Sequence, residues 1–372
     1  MSVNQNSIDY KSIIQQAINE GNVNEVIKNL INEGMDVNIK IGITEITPFI
    51  LIAAYGNKET LEWLFDRKGI NFLAEAWNGS SPLHWAAREG NIENIEYLLS
   101  YNFNSEFKDA LGLTPIFYAA DKAQENAIKI LLEHGANIES KNNFGETPLL
   151  WEAHFIDNSL NKRLKLLLEN GADVNAIDEN GTSVFSRIVQ LNDESLIDLM
   201  HKYNVEINEN ELLYAVTTST TTLDKLFDLY NFDVNTAHSN GYSLLHHAIN
   251  NGYKDNALWL IKNGANLEAR FDNATPLQHG IDFIQLLREK AKNDLSTDFY
   301  QIRENEIIET IKAILSDESI SISLAERENA QQKLSDLLLL NDQVENDEVI
   351  ASSYDDLNHE EISEGASIDY YI

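Results

Sequence analysis

The chain has 372 residues, 43% of them hydrophobic, which is enough to bury a core and too many for disorder throughout. Sixty acidic side chains against 27 Lys and Arg leave a formal charge of −33, which repels phosphate backbones and argues against nucleic acid as a partner. The absence of cysteine excludes disulfides, thiolate nucleophiles and thiolate-ligated zinc or iron–sulfur clusters, and fits a reducing compartment.

From the N-terminus, MSVNQNSIDYKS is polar and lacks the basic-then-apolar order of a secretory signal. No later run approaches the roughly 18 apolar residues that span a bilayer. The expectation is a soluble, cytoplasmic chain that does not insert into membranes.

Along the chain one module recurs. Ser81-Pro82-Leu83-His84-Trp85-Ala86-Ala87 returns 33 residues later as Thr114-Pro115-Ile116-Phe117-Tyr118-Ala119-Ala120, and Thr147-Pro148-Leu149 follows after another 33. The same slot falls at Ser12, Thr47, Ser183, Asn210, Ser243 and Thr275, giving nine units. A second marker lies about 21 residues on, at Gly34, Gly69, Asn102, Gly135, Gly171, Asn204, Asn231 and Gly264. Gly and Asn tolerate positive φ, so this position reads as a left-handed helix stop. Apolar pairs such as Leu98-Leu99 and Leu131-Leu132 precede it and supply a buried stripe. Each unit is therefore helix, turn, helix and extended loop, and its apolar flank is covered only by stacking on a neighbour.

Gly79 to Ala87 and Leu167 to Ala176 resemble ankyrin repeats, and the resemblance covers about residues 8 to 315. It implies an all-α solenoid of stacked antiparallel helix pairs, with hairpin loops projecting between units and a concave face that binds proteins. The expected array is 1–315, capped by 8–43 and 273–315. Between Ser183 and Asn210 the unit is shortened, so no projecting hairpin is expected and the array should bend or weaken near Asn208. Unit five carries extra residues around Asp157 to Asn161, read as a longer turn. In unit nine, Leu286 to Arg303 reads as a long connection before a helix at Glu304 to Leu315.

Beyond Ser316 the chain holds 15 acidic residues against Arg327 and Lys333. Ser323-Leu324-Ala325-Glu326 has the form of a capping box, so 316–341 is expected as a helical extension. Residues 342–372 are expected as an acidic disordered tail. Its end, from Glu360 to Ile372, is similar to the glutamate-rich export signals of bacterial effectors, which would place the protein in a host cell.

No constellation in the sequence points to catalysis. His84, His246 and His247 lie in or beside the TPLH motif, where the resemblance assigns a structural hydrogen bond. His154 and His279 stand one to a unit, without HxxxH or HExxH spacing, so no metal is expected. GxSxG, GxGxxG and GxxxxGK[ST] are all absent, and no cofactor is expected.

The resemblance implies partner contacts at the hairpin tips and the last turn of the first helix. Those positions hold Ile46, Tyr55, Trp77, Arg88, Leu111, Leu113, Phe144, Phe155, Tyr242 and Phe271. Apolar residues on solvated tips suggest a surface facing another protein, since buried aromatic contacts carry about 2 kcal/mol each at interfaces. Glu75, Glu89, Asp109, Asp121, Glu146, Asp178 and Glu179 would steer a basic partner toward it. The expected function is a monomeric, non-catalytic scaffold for a protein of basic or mixed surface, in one version an effector. One alternative is a neutralising inhibitor or immunity protein for a basic enzyme or toxin. The other is an enzyme with a site near the ninth unit and the C-terminal segment.

Overall fold

A computed structural model describes residues 9–237, 241–291 and 297–355. Eighteen helices among them form nine consecutive pairs. These are α1 (Tyr10–Glu20) and α2 (Val23–Asn32), α3 (Pro48–Tyr55) and α4 (Lys58–Phe65), α5 (Pro82–Glu89) and α6 (Ile92–Ser100). Next come α7 (Pro115–Asp121) and α8 (Glu125–Glu133), α9 (Pro148–Glu152) and α10 (Leu160–Glu169), α11 (Val184–Ile188) and α12 (Glu194–Lys202). The last are α13 (Glu209–Val216) and α14 (Thr220–Tyr230), α15 (Leu244–Asn250) and α16 (Lys254–Lys262), α17 (Pro276–Ala291) and α18 (Thr297–Ser316). A further helix, α19, spans Leu324–Asp355. The chain divides into two compact bodies, Met1–Tyr230 and Asn231–Ile372.

The repeat dictates how each pair starts and stops. The Thr47 and Thr147 hydroxyls accept from the amides three residues on, and Pro48, Pro82, Pro115 and Pro148 occupy the first helical position, where no amide is needed. Every one of the eight Gly or Asn stops, from Gly34 to Gly264, has positive φ. Two slots move. Asp9, not Ser12, caps α1 by accepting from the Ser12 amide, and Asn208, not Asn210, accepts from the Glu211 amide at the start of α13.

First helices stack on first helices and second on second, so each body has two helical layers. The alanine pairs Ala53-Ala54, Ala86-Ala87 and Ala119-Ala120 are buried between first helices, where a larger side chain would force them apart. Carbonyls left over at the end of α3 are claimed by the next repeat. Asn94 Nδ2 donates to Ile52 O, Ala53 O and Gly56 O at 2.8, 3.2 and 3.0 Å, and Asn91 Nδ2 donates to Gly56 O at 2.7 Å.

The shortened seventh repeat is held by its own device. Glu211 is buried, accepts from the Ser183 hydroxyl and takes the Asn208 amide at 2.8 Å, filling the place of a hairpin. The N-terminal body accordingly continues past Asn208, and the division falls at Tyr230 instead.

The C-terminal body repeats that solution. Glu326, in the first turn of α19, accepts from the Thr275 hydroxyl and from Gln278 Nε2, as Glu211 does for Ser183. α19 packs on α17, so it occupies the place of a tenth first helix. It runs on past Asn341 to Asp355; residues 356–372, with the expected export signal, lie outside the described residues. The long connection expected in unit nine is largely helix, because α17 extends to Ala291 and α18 starts at Thr297. Arg288 holds that stretch together, donating to Glu304 Oε1 at 2.9 and 2.6 Å and to Leu337 O at 2.8 Å. Replacing Glu326 with Ala is expected to cost about 1–3 kcal/mol by leaving the Thr275 O–H donor without its acceptor in the core. Urea denaturation followed at Trp259, in α16, would measure it; an unchanged midpoint would mean that α19 leans on the body without supporting it.

Candidate functional site

Between the helix pairs the chain turns out into hairpins, and the first four full ones are knitted into a ladder by the main chain. Trp77 N donates to Thr44 O at 3.1 Å, Ala110 N to Asn78 O at 2.9 Å and Asn143 N to Leu111 O at 2.9 Å. The hairpins approach so closely at Gly112, where φ is +80°, that a Cβ would sit 2.7 Å from the Asn143 nitrogen.

Within each hairpin a polar side chain ties the tip down. Asp109 Oδ1 accepts from the Leu111 and Leu113 amides and Asp109 Oδ2 from the Tyr118 hydroxyl, while Asn142 Oδ1 accepts from the Phe144 and Glu146 amides. With the inward positions filled by these carboxylates and amides, the apolar tip residue is left facing water. Ile43, Trp77, Leu111 and Phe144 are 88, 66, 43 and 54% exposed, one at each of four successive tips. Beside them Phe155, in the long turn of the fifth repeat, is also exposed and meets Trp151 edge to face at 5.5 Å. The fifth hairpin carries Glu179 and Asn180 at its tip, so the apolar row ends at Phe144.

The bases of the hairpins hold the histidines. His84 Nδ1 accepts from the Ser81 amide at 3.1 Å, and its Nε2 lies 3.0 Å from Leu113 O in the next hairpin, with the ring fully buried. Burial pushes the His84 ring down to about 4, so the neutral form is held. His246 makes the same pairing with Ser243 and is likewise pushed down to about 4 by burial. The fifth and sixth repeats have no histidine in this slot, and Arg187 serves instead. It donates to Leu150 O at 2.7 Å, Glu146 Oε1 at 2.9 Å and Asp178 Oδ2 at 2.8 Å. His154 Nε2 also reaches Glu146 Oε1 at 2.5 Å. Burial would raise Glu146, but the hydrogen bonds from His154, Asn142 and Arg187 outweigh it and hold the carboxyl below its usual range. Among the described residues no cluster of three or more His, Asp or Glu is placed to hold a metal ion, and no helix is long and apolar enough to cross a membrane.

At the ends of the first helices Arg88 lies 3.3 Å from both Glu89 Oε1 and Asp121 Oδ2. Tyr55 is half-buried beside Glu89, and burial together with that carboxylate pushes its hydroxyl up to about 12.

This geometry sorts the residues expected from sequence. Trp77, Leu111, Phe144 and Phe155 are on the surface, with Tyr55, Arg88 and Ile46 half-exposed nearby. Leu113 is buried, because its amide and carbonyl are both used inside the ladder, and it is no part of a docking surface. Tyr242 and Phe271, in the C-terminal body, fold onto each other at 5.0 Å and onto His246 and His279, so they build a half-buried ring cluster of their own. Asp109, Glu146 and Asp178 are buried structural acceptors; Glu89 and Asp121 pair with Arg88, while Glu75 and Glu179 are exposed. Ile43 was missed, although it is the most exposed large apolar side chain among the described residues.

Family models describe the same periodicity. A model of three ankyrin repeats matches residues 13–109 and 102–178, and a single ankyrin repeat model matches 240–271, together more than half of the chain. The chain belongs to the ankyrin repeat family. As an ankyrin array it is a scaffold for protein–protein interaction. The span between the matches holds the sixth and seventh repeats, where Arg187 and Glu211 have replaced the motif histidine and the hairpin. Over 102 residues this ankyrin array is 31% identical to the tyrosine-protein kinase HTK16 of Hydra vulgaris, covering 27% of the chain and 13% of that kinase. The array thus spans a small fraction of its relative's length, and it contains no GxGxxG phosphate loop.

Proposed function

We propose that the row of tips Ile43, Trp77, Leu111 and Phe144, flanked by Phe155 and by the half-exposed Tyr55 and Arg88, is the surface with which this ankyrin array holds a partner protein. The observation that carries this reading is the ladder. Four consecutive hairpins, rigidly joined through main-chain hydrogen bonds, each turn one large apolar side chain to water. A rigid apolar row pays little ordering entropy on binding, which is what an anchor surface requires. The chain binds its partner without chemically changing it, and one copy of the array supplies the whole face.

The partner carries a basic or mixed surface. Glu75, Glu89, Asp121 and Glu179 surround the row, and the net charge of −33 accelerates encounter with a cationic protein. The same charge favours a second reading, in which the captured protein is a basic enzyme or toxin that the array neutralises. Export as an effector rests on Glu360 to Ile372, outside the described residues, and gains no support from the ladder.

Replacing Trp77 and Phe144 together with Ala is expected to weaken partner capture by several hundredfold, as two lost anchors of ~2 kcal/mol imply when their losses add. The melting temperature should stay within a few degrees, because exposed tips contribute little packing. Affinity purification with and without the two changes, with calorimetry as the stability control, is the test. Undiminished capture by the double variant rules this face out.

A further inference from the structure

On the second-helix layer a solvent-open groove of about 720 Å³ lies between the ends of α4 and α6. Five aromatic rings wall it, those of Phe65, Phe72, Tyr97, Tyr101 and Phe103. Phe65 is their hub, 4.8 Å from Phe72, 5.1 Å from Tyr97 and 4.9 Å from Tyr101. The rings meet at 54, 76 and 62°, so they form several walls and not a parallel slot. Two carboxylates, Glu62 and Asp66, complete the lining, and both side chains are exposed.

An aromatic face is the negative part of its quadrupole, and the carboxylates add full negative charge at the same opening. Both features attract a cation. A neutral apolar group would desolvate Glu62 and Asp66 without repaying them, and an anion would be repelled. The protein already displays the preference, since Lys58 Nζ sits 5.8 Å from the centre of the Tyr97 ring and 3.8 Å from Glu62 Oε1. Its side chain is about half exposed, so it can swing away. The Tyr97 hydroxyl is raised, first by burial and then by its bond to Tyr101 and the charges of Glu62 and Asp66, which keeps it protonated beside them.

An apolar cavity of about 320 Å³ adjoins the groove and shares Phe72, Tyr101 and Phe103 with it. Leu73 and Phe107 line it and Glu75 stands at its edge. The pair has room for a charged side chain and for an apolar neighbour from the same extended segment.

We propose that this groove, with its adjoining cavity, binds an extended segment of a protein partner by the ammonium group of one lysine, and binds it more tightly when that lysine is methylated. Several walls at steep angles suit a rounded ammonium, whereas a planar guanidinium stacks best in a flat slot. Methyl groups weaken the hydration of the ammonium and add surface for the rings, while the charge stays.

The test uses the full chain and a synthetic peptide in three forms: a trimethyllysine followed by leucine, the same peptide with plain lysine, and a neutral analogue in which carbon replaces the quaternary nitrogen. Binding is read from the ring resonances of Tyr97 and Tyr101 and from anisotropy of a labelled peptide. The trimethyl peptide should move both tyrosines, the plain lysine should bind less tightly, and the neutral analogue should bind about tenfold more weakly than the trimethyl form. Glu62→Gln with Asp66→Asn, both at exposed positions, should weaken the trimethyl peptide several-fold while the melting temperature stays within a few degrees. Lys58→Gln, which removes the resident competitor, should strengthen it. The Trp77 and Phe144 changes should leave it unaltered, which separates this site from the hairpin row. Equal affinity for the neutral analogue, or tyrosine resonances that do not move with any peptide, would overturn the proposal.

Discussion

Replacing Arg163 with Ala is expected to destabilise the N-terminal body by about 3–5 kcal/mol, the cost of leaving one member of a buried ion pair without the other. Arg163 projects from α10 with only 2% of its surface exposed. Its Nε donates to Glu152 Oε2 at 2.5 Å, Nη1 to Asp157 at 2.7 and 3.0 Å and to the Ser159 hydroxyl, and Nη2 to Phe155 O at 2.7 Å. The guanidinium thus gathers the whole extra turn of the fifth repeat around itself. Asp157 is drawn down to about 2, first by the Ser159 hydroxyl and then by Arg163. Glu152 has no exposed surface, and burial pushes its carboxyl up to about 7 against the pull of the guanidinium. Without Arg163 that carboxyl would be buried with nothing to compensate it. The double replacement Arg163→Met with Glu152→Leu should recover most of the loss, because neither charge is then buried. Urea midpoints of the three variants decide this, and a loss below about 1 kcal/mol for Arg163→Ala would mean that water already reaches the pair.

Acid should unfold the array through the histidines at the hairpin bases. The folded value of His84 is depressed from 6.5 to about 4 by burial, so the fold holds the neutral ring and the unfolded chain takes up the proton first. Its contribution is fully present above 6.5 and is lost as the pH falls from 6.5 towards 4. A shift of that size corresponds to about 3 kcal/mol. His246 adds a loss of the same sign in the C-terminal body. Glu152 has the opposite sign: raised to about 7, it favours the fold below its ordinary 4.5, and that contribution is lost as the pH rises through 7. The comparison that isolates His84 is the stability difference between pH 7 and 4.5 in the natural chain and in His84→Gln, which share Glu152. The difference should shrink by about 2–3 kcal/mol in the variant. An equal difference in both would place the titration elsewhere.

The repeat was legible because its marks are residue types that the backbone itself demands. A left-handed stop needs Gly or Asn, and Asn102, Asn204 and Asn231 gave it away as clearly as the glycines. Where a different chemistry does the same work, the marks mislead. Ser12 stands in phase, yet Asp9 three residues earlier makes the cap; Glu211 and Glu326 replace hairpins that no turn residue announces. The acidic helix box at Ser323 was visible, but its docking as a tenth first helix depends on Glu326 meeting Thr275, 51 residues away.

The hairpin row was only partly visible for a similar reason. Trp77, Leu111 and Phe144 can be found by counting from the turn glycine, but the first hairpin carries one residue more, so the same count passes over Ile43. Alternation hid Leu113, whose side chain points inward while its neighbours at the tip point out. The pairing of Arg163 with Glu152 and the ring-lined groove around Phe65 leave no periodic trace, since each joins residues that the repeat does not equate.

The most direct test of the account places a photoreactive amino acid at Leu111, in the middle of the hairpin row, and compares it with the same group at Lys129 and Lys165 on the second helices. The ladder predicts that the captured partner is cross-linked from Leu111 and not from the two second-helix positions. Cross-linking from Lys129 or Lys165, with none from Leu111, would contradict it.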